Sequence, residues 1–177
     1  MNRNVARGRA AKTAGDSFEA WVDAQHEMAK ILGVLVHVAH NEPKARYVGG
    51  RLIYTARSGT DYSGVLADGK AYAAEAKSTK SRLMRSAINK KQVEQLDAVA
   101  RAGGAAYLLV EFRHGTRMRR YAAPWDRIEW KKLRTAESIG PEDLLAVWSI
   151  PPNECYLKRG VQAPVVSSGR KRVFHHE

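Results

Sequence analysis

Phe18, Trp21, Val22, Met28, Ala29 and Leu32 fall on one stripe at helical spacing, which predicts a helix over residues 16–32 that Gly33 ends. Glu19 and His26 lie at the edge of that stripe. Strand-like runs follow at 34–39 and 51–56, separated by the turn signals Asn41-Glu-Pro-Lys and Gly49-Gly50. Two further strands carry Asp61 and Glu75. A second helix is predicted over 86–102, ending at Gly103-Gly104, with Ile88, Val93, Leu96, Val99 and Ala100 on its buried arc and Gln92 inside that arc. Residues 105–112 form a near-continuous apolar run that suits a central strand covered on both faces, and 117–122 suit its hairpin partner beyond His114-Gly115. Pro124 can open a short helix through about Leu133, and Pro141 another.

Composition sets limits on this picture. At 177 residues with 44% hydrophobic content the chain fits one domain with a real core. Residues 1–14 are basic and lack an acid, which reads as a flexible arm; 15–157 read as the folded domain and 158–177 as a basic, Ser/Gly-rich tail. Lysine and arginine total 30 against 18 acids, a formal charge of +12, which suits a polyanionic partner such as nucleic acid. One cysteine, Cys155, allows neither an internal disulfide nor a cysteine-built zinc site, and a reducing cytoplasm is expected. No signal peptide or membrane-length apolar run is present in this sequence, so no membrane partner is expected.

Candidate chemistry centres on Gly59-Thr-Asp61-Tyr-Ser-Gly64 and Ala74-Glu75-Ala76-Lys77-Ser78. Side chains alternate on a strand, so Glu75 and Lys77 share one face and Ala74 and Ala76 the other. Two carboxylates suit a hard cation such as Mg2+, which polarises a phosphate and lowers the pKa of bound water. A lysine beside them can orient that water or offset charge in the transition state. The turn decides the register. A two-residue Asp68-Gly69 hairpin pairs Tyr62 with Glu75 and sends Asp61 to the wrong face, whereas a three-residue loop Ala67-Asp68-Gly69 sets Asp61 across from Glu75. Gln92 needs hydrogen-bond partners, either a core backbone group or a catalytic water or phosphate. Glu19 suits both the favourable N-terminal end of a helix and the rim of a site.

The ordered set Gly15-Asp-Ser-Phe18-Glu19, Thr60-Asp61-Tyr62-Ser-Gly64, Ala74-Glu75-Ala76-Lys77-Ser78-Thr79 and Ile88-Asn-Lys-Lys-Gln92, followed by the 105–112 strand, resembles the RecU type of Holliday junction resolvase in the PD-(D/E)XK nuclease superfamily. That resemblance implies an α/β, restriction-endonuclease-like core: a mixed central sheet flanked by helices. It also implies a homodimer and paired, symmetric incision of four-way branched DNA in recombination and repair. Carried onto this chain, it makes Asp61 and Glu75 metal ligands, the Ala76 carbonyl a backbone ligand, Lys77 the active-site lysine, and Glu19 and Gln92 the acid and glutamine of the two helices. The metal would be Mg2+, with Mn2+ as a substitute. Family members carry a longer insertion before the Asp-Tyr motif, a stalk that enters the junction; here 41–59 leave room only for a short hairpin.

DNA contacts are expected from several places. Arg7 and Arg9 lie in the arm, Lys44, Arg46, Arg51 and Arg57 in the stalk segment, and Lys80, Arg82, Arg85, Lys90 and Lys91 in the acid-free run 78–93. Tyr62, next to Asp61, is a further candidate. Two other readings use the same residues: a nuclease of linear duplex DNA, and a non-catalytic junction-binding protein. The six histidines form no compact ligand motif, and neither Gly49-Gly50 nor Gly103-Gly104 has the lysine and threonine of a nucleotide-binding loop.

Overall fold

A computed structural model describes residues 3–41, 45–54, 59–128 and 138–160. The chain runs α1 (Arg3–Ile31), β1 (Leu35–His40), β2 (Ala45–Val48), β3 (Arg51–Tyr54), β4 (Tyr62–Leu66), β5 (Ala71–Thr79), β6 (Leu83–Met84), α2 (Lys90–Arg101), β7 (Ala105–His114), β8 (Arg117–Pro124), β9 (Ser138–Ile139) and α3 (Tyr156–Gly160). Five strands form one mixed sheet in the order β1-β4-β5-β7-β8. Only the β5–β7 pair is parallel, and α2 makes the crossover that a parallel pair requires. This is the mixed sheet flanked by helices that the motif order implies.

The two helices cover opposite faces. Phe18, Val22 and Ala29 of α1 pack with Ala74 and Ala76 of β5, while Ile88 and Leu96 pack with Ala73, Leu108 and Val110. Strand alternation therefore puts Glu75 and Lys77 on the α2 face. The stripe on α1 holds through Phe18 and Val22, but His26 lies in the packed layer at 1% exposed instead of at its edge, and Leu32 is 46% exposed. The His26 Nε2 meets the Tyr72 hydroxyl at 2.7 Å and the Tyr156 hydroxyl at 2.8 Å, which ties α3 to the sheet. Burial lowers the His26 pKa to about 3.

Several boundaries differ from expectation. The first helix begins at Arg3, so the backbone of 3–14 is helical instead of an irregular arm. Four alanines and several arginines, with no proline, favour helix there. The second helix starts at Lys90 because Asn89 takes the N-cap: its side chain accepts from the Gln92 N–H while the Gln92 side chain accepts from the Asn89 N–H. A 3-10 turn, Arg85–Ala87, precedes it. After Pro124 only a 3-10 turn, Trp125–Arg127, is seen, and the rest of the helix expected there lies outside the described residues. The start expected at Pro141 is likewise a 3-10 turn.

Two turns set what matters for the site. Val65 pairs with Ala71 and Tyr62 with Ala74, the register of the three-residue loop, and Gly69 sits at φ +82. The short hairpin β2–β3 turns through Gly49 and Gly50, both at positive φ, as a two-residue loop of the primed type demands.

Candidate active site

Asp61 lies just before β4, and the three-residue register carries it level with Glu75 in the middle strand. Both side chains are buried, at 1% and 0% exposed. The Asp61 N–H donates to Glu75 Oε2 at 3.1 Å, and the Ala76 N–H donates to Asp61 Oδ2 at 3.0 Å. Lys77 reaches both acids: its Nζ donates to Glu75 Oε1 and stands 3.8 Å from Asp61 Oδ2. From α2, Gln92 Nε2 donates to Glu75 Oε1 at 2.6 Å. The inward glutamine thus has a third fate beside the two expected, as the amide that holds a carboxylate. Its own carbonyl accepts the Asn89 N–H, so the capping pair at the helix start also fixes which end of the amide faces Glu75.

Burial raises the Glu75 pKa, and the adjacent Asp61 charge raises it further against the opposing pull of Lys77. Two buried carboxylates face one lysine here. Among the described residues no three His, Cys, Asp or Glu side chains cluster as a metal site. A cation here would take the Asp61 and Glu75 carboxylates, with main-chain oxygen and water completing its shell. That all-oxygen set fits a hard divalent cation such as Mg2+, which keeps several waters and takes only one or two carboxylates.

The Gly59–Asp61 loop is clamped from two sides by residues that the motif reading does not include. Gln95 Oε1 accepts the Thr60 N–H at 2.9 Å, and it lies so close to Gly59 that any Cβ there would collide with it. Asn41 donates its N–H to the Asp61 carbonyl at 2.7 Å and its amide to the Thr60 carbonyl at 3.0 Å. Gln95 had a signal in the sequence, since it lies three residues beyond Gln92 and so on the same helix face. Asn41 had none, because only tertiary pairing of β1 with β4 brings it there. Glu111 was hidden in an apolar strand: it is 2% exposed, accepts from Ser78 Oγ at 2.9 Å and from Arg120 Nε at 2.9 Å. Arg120 in turn lies 4.3 Å above the Trp21 ring.

The other expected residues make contacts of their own. Glu19 belongs to a cluster on the α1 face, its carboxylate 3.6 Å from His40 Nε2, while His40 Nδ1 is 3.4 Å from Asp23. Tyr62 is fully buried, its hydroxyl donates to the Glu19 carbonyl at 3.2 Å and its ring stacks on His40, so it is a core residue and not a DNA contact. Arg82 is held within its own chain. Its guanidinium bonds Glu142, Asp143 at 2.6 Å and the Ser138 carbonyl at 3.1 Å, which joins β6 to β9 and leaves little charge for phosphate. Arg85 lies over Trp125 at 5.4 Å. Lys80, Lys90 and Lys91 are exposed, with Lys90 3.7 Å from Glu94. Arg7 and Arg9 fall in α1, Arg46 in β2 and exposed Arg51 in β3; Lys44 and Arg57 lie outside the described residues.

No described helix is long and apolar enough to cross a membrane. A comparison with curated proteins finds no match. The profile of the family described as recombination protein U matches residues 29–144, a span that takes in Asp61, Glu75, Lys77 and Gln92 together with the strands and helix that hold them. By that match, which covers more than half of its length, the chain belongs to the RecU family of Holliday junction resolvases.

Proposed function

We propose that the chain acts on four-way DNA as a Mg2+-dependent endodeoxyribonuclease, making paired, symmetric incisions as a homodimer, with Mn2+ able to replace Mg2+. The observation that carries this reading is the convergence of Asp61, Glu75, Lys77 and Gln92 at one end of the sheet. Asp61, Glu75 and the Ala76 carbonyl would hold the cation. When bound, it supplies a Lewis acid for the phosphate and an acidified water. Lys77 opposes the negative charge that grows on the phosphate oxygens as the nucleophile adds. Gln92 acts through Glu75, keeping the carboxylate in one rotamer by a bond that its own cap geometry enforces. Glu19, whose carboxylate lies 3.6 Å from His40 Nε2, is the first-helix acid that the family resemblance adds to the catalytic set. The short β2–β3 hairpin takes the position of a stalk, so selection for junctions rests on it and on cations around the site.

The test compares a labelled four-way junction with a linear duplex of matched sequence, in Mg2+ or EDTA, using wild type and Asp61→Ala. Symmetric junction cuts that need both Mg2+ and Asp61 are expected. Equal cutting of the duplex overturns junction selectivity, and tight junction binding without any cutting overturns the catalytic assignment. Sedimentation of the free protein checks the dimer.

A further inference from the structure

Arg82 is held by acids of its own chain, which removes one cation from the expected phosphate path and directs attention to the hairpin between β7 and β8. Residues 113–120 of that hairpin contain Arg113, His114, Arg117, Arg119 and Arg120 and no acid. Two of these are internal anchors: Arg120 and Arg113 lie 2.9 Å and 3.5 Å from the buried Glu111 carboxylate. Arg117 and Arg119 are exposed, and among the described residues no carboxylate pairs with either.

The register fixes where they point. Arg119 pairs with Phe112, which pairs with Thr79; Tyr121 pairs with Val110, which pairs with Lys77. Tyr121 and Ala123 pack on the α2 face, so alternation puts Arg117 and Arg119 on that same face, the one that carries Glu75 and Lys77. Two strand spacings separate Arg119 from Thr79, about 10 Å, and Lys77 lies about 7 Å back along β5. That span corresponds to three or four base-pair steps of about 3.4 Å along the axis of a DNA duplex. Protection of an edge strand is served by charge of either sign. On this edge residues 149–150 already cover β8 at Arg120 and Tyr121, and every exposed charge beyond that cover is positive.

The geometry points to the β7–β8 hairpin as a phosphate-binding arm that grips the DNA backbone flanking the scissile position, with Arg117 and Arg119 as the contacts and Glu111 as the anchor that holds the arm in place. This inference rests on the nuclease reading for the meaning of "scissile" but is tested without cleavage. Binding of a labelled junction and of a linear duplex is measured in EDTA between 50 and 200 mM salt, for wild type, Arg117→Ala/Arg119→Ala, and a control that removes an exposed cation elsewhere, Lys158→Ala. The double variant is expected to bind roughly tenfold or more weakly, with the slope of log affinity against log salt reduced by about 2, since each lost phosphate contact removes close to one. Lys158→Ala should match wild type. In Mg2+ the double variant should show a raised KM with kcat kept. Affinity and slope equal to wild type overturn the arm while leaving the nuclease reading intact. Wild type that binds with the expected slope but never cuts overturns the nuclease reading while the arm stands, and failure of wild type to bind either DNA overturns both. Both arginines are exposed and make no ion pair among the described residues, so the double variant should fold; an unchanged melting curve verifies that before binding is compared.

Discussion

Glu75 is wholly buried, its neighbour Asp61 is buried too, and Lys77 is the cation that both acids share. Because burial and Asp61 raise its folded pKa above the unfolded value, ionised Glu75 opposes folding, and the opposition grows as pH rises from the unfolded pKa toward the folded one. Glu75→Gln is therefore expected to abolish cutting and to remove the fall in metal-free unfolding free energy that the wild type shows as pH rises from about 4.5 to about 7, read by urea titrations in EDTA across that range. Gln95 offers a different split. Gln95→Leu leaves the Thr60 N–H without its acceptor, which should cost about 1–3 kcal/mol and loosen Asp61. Steady-state kinetics should then show kcat down by about ten to a hundredfold with junction affinity kept, and Gln95→Glu, which retains an acceptor, should recover part of it. The central acids and lysine were legible because strand alternation and one turn suffice to bring them together. Asn41 was not, because its partners come from a segment remote in sequence, and Glu111 was not, because it stands in an apolar run and one of its partners, Ser78, comes from β5.

At the level of elements, the Gly64 of the motif has a steric reason that its φ does not supply. A Cβ there would run into the His37 carbonyl of β1, where the β1–β4 ladder also carries an irregularity between Leu35 and His37. Gly64→Ala should push β1 away from β4 and reduce stability by on the order of 3 kcal/mol, seen as a lower urea midpoint, and should loosen Asn41 and hence Asp61 as well. The strands of the main sheet were readable from alternation, but turn chemistry suited both a two-residue and a three-residue loop, and the β4–β5 register followed from the need to bring Asp61 level with Glu75. Helix starts were less so. The Asn89 cap displaced the start of α2, because a local side-chain bond outweighs the apolar period that continues upstream through Ile88. The helical course of 3–14 follows from propensity, a signal that a reading based on charge passes over.

For the molecule as a whole, the polar triad His26, Tyr72 and Tyr156 lies inside the layer between α1 and the sheet. His26 stays neutral in the folded state, with a pKa near 3, while the unfolded chain takes up a proton around 6.5. Stability is therefore full above the unfolded pKa and falls as pH drops below it, by about 2 kcal/mol at pH 5. Denaturant titrations from pH 7 to 5 should show that fall, and His26→Gln should flatten it. The same triad has a consequence for synthesis. Its last hydroxyl, on Tyr156, lies 130 residues beyond His26, whereas Asp61, Glu75, Lys77 and Gln92 have all been translated long before it. A nascent chain can pair β4 with β5 while still attached to the ribosome, but the layer under α1 cannot close until Tyr156 has left the exit tunnel. Final rigidity of the sheet that carries the carboxylates is thus deferred to the end of translation, and a chain cut short before Tyr156 would leave His26 and Tyr72 facing an open core.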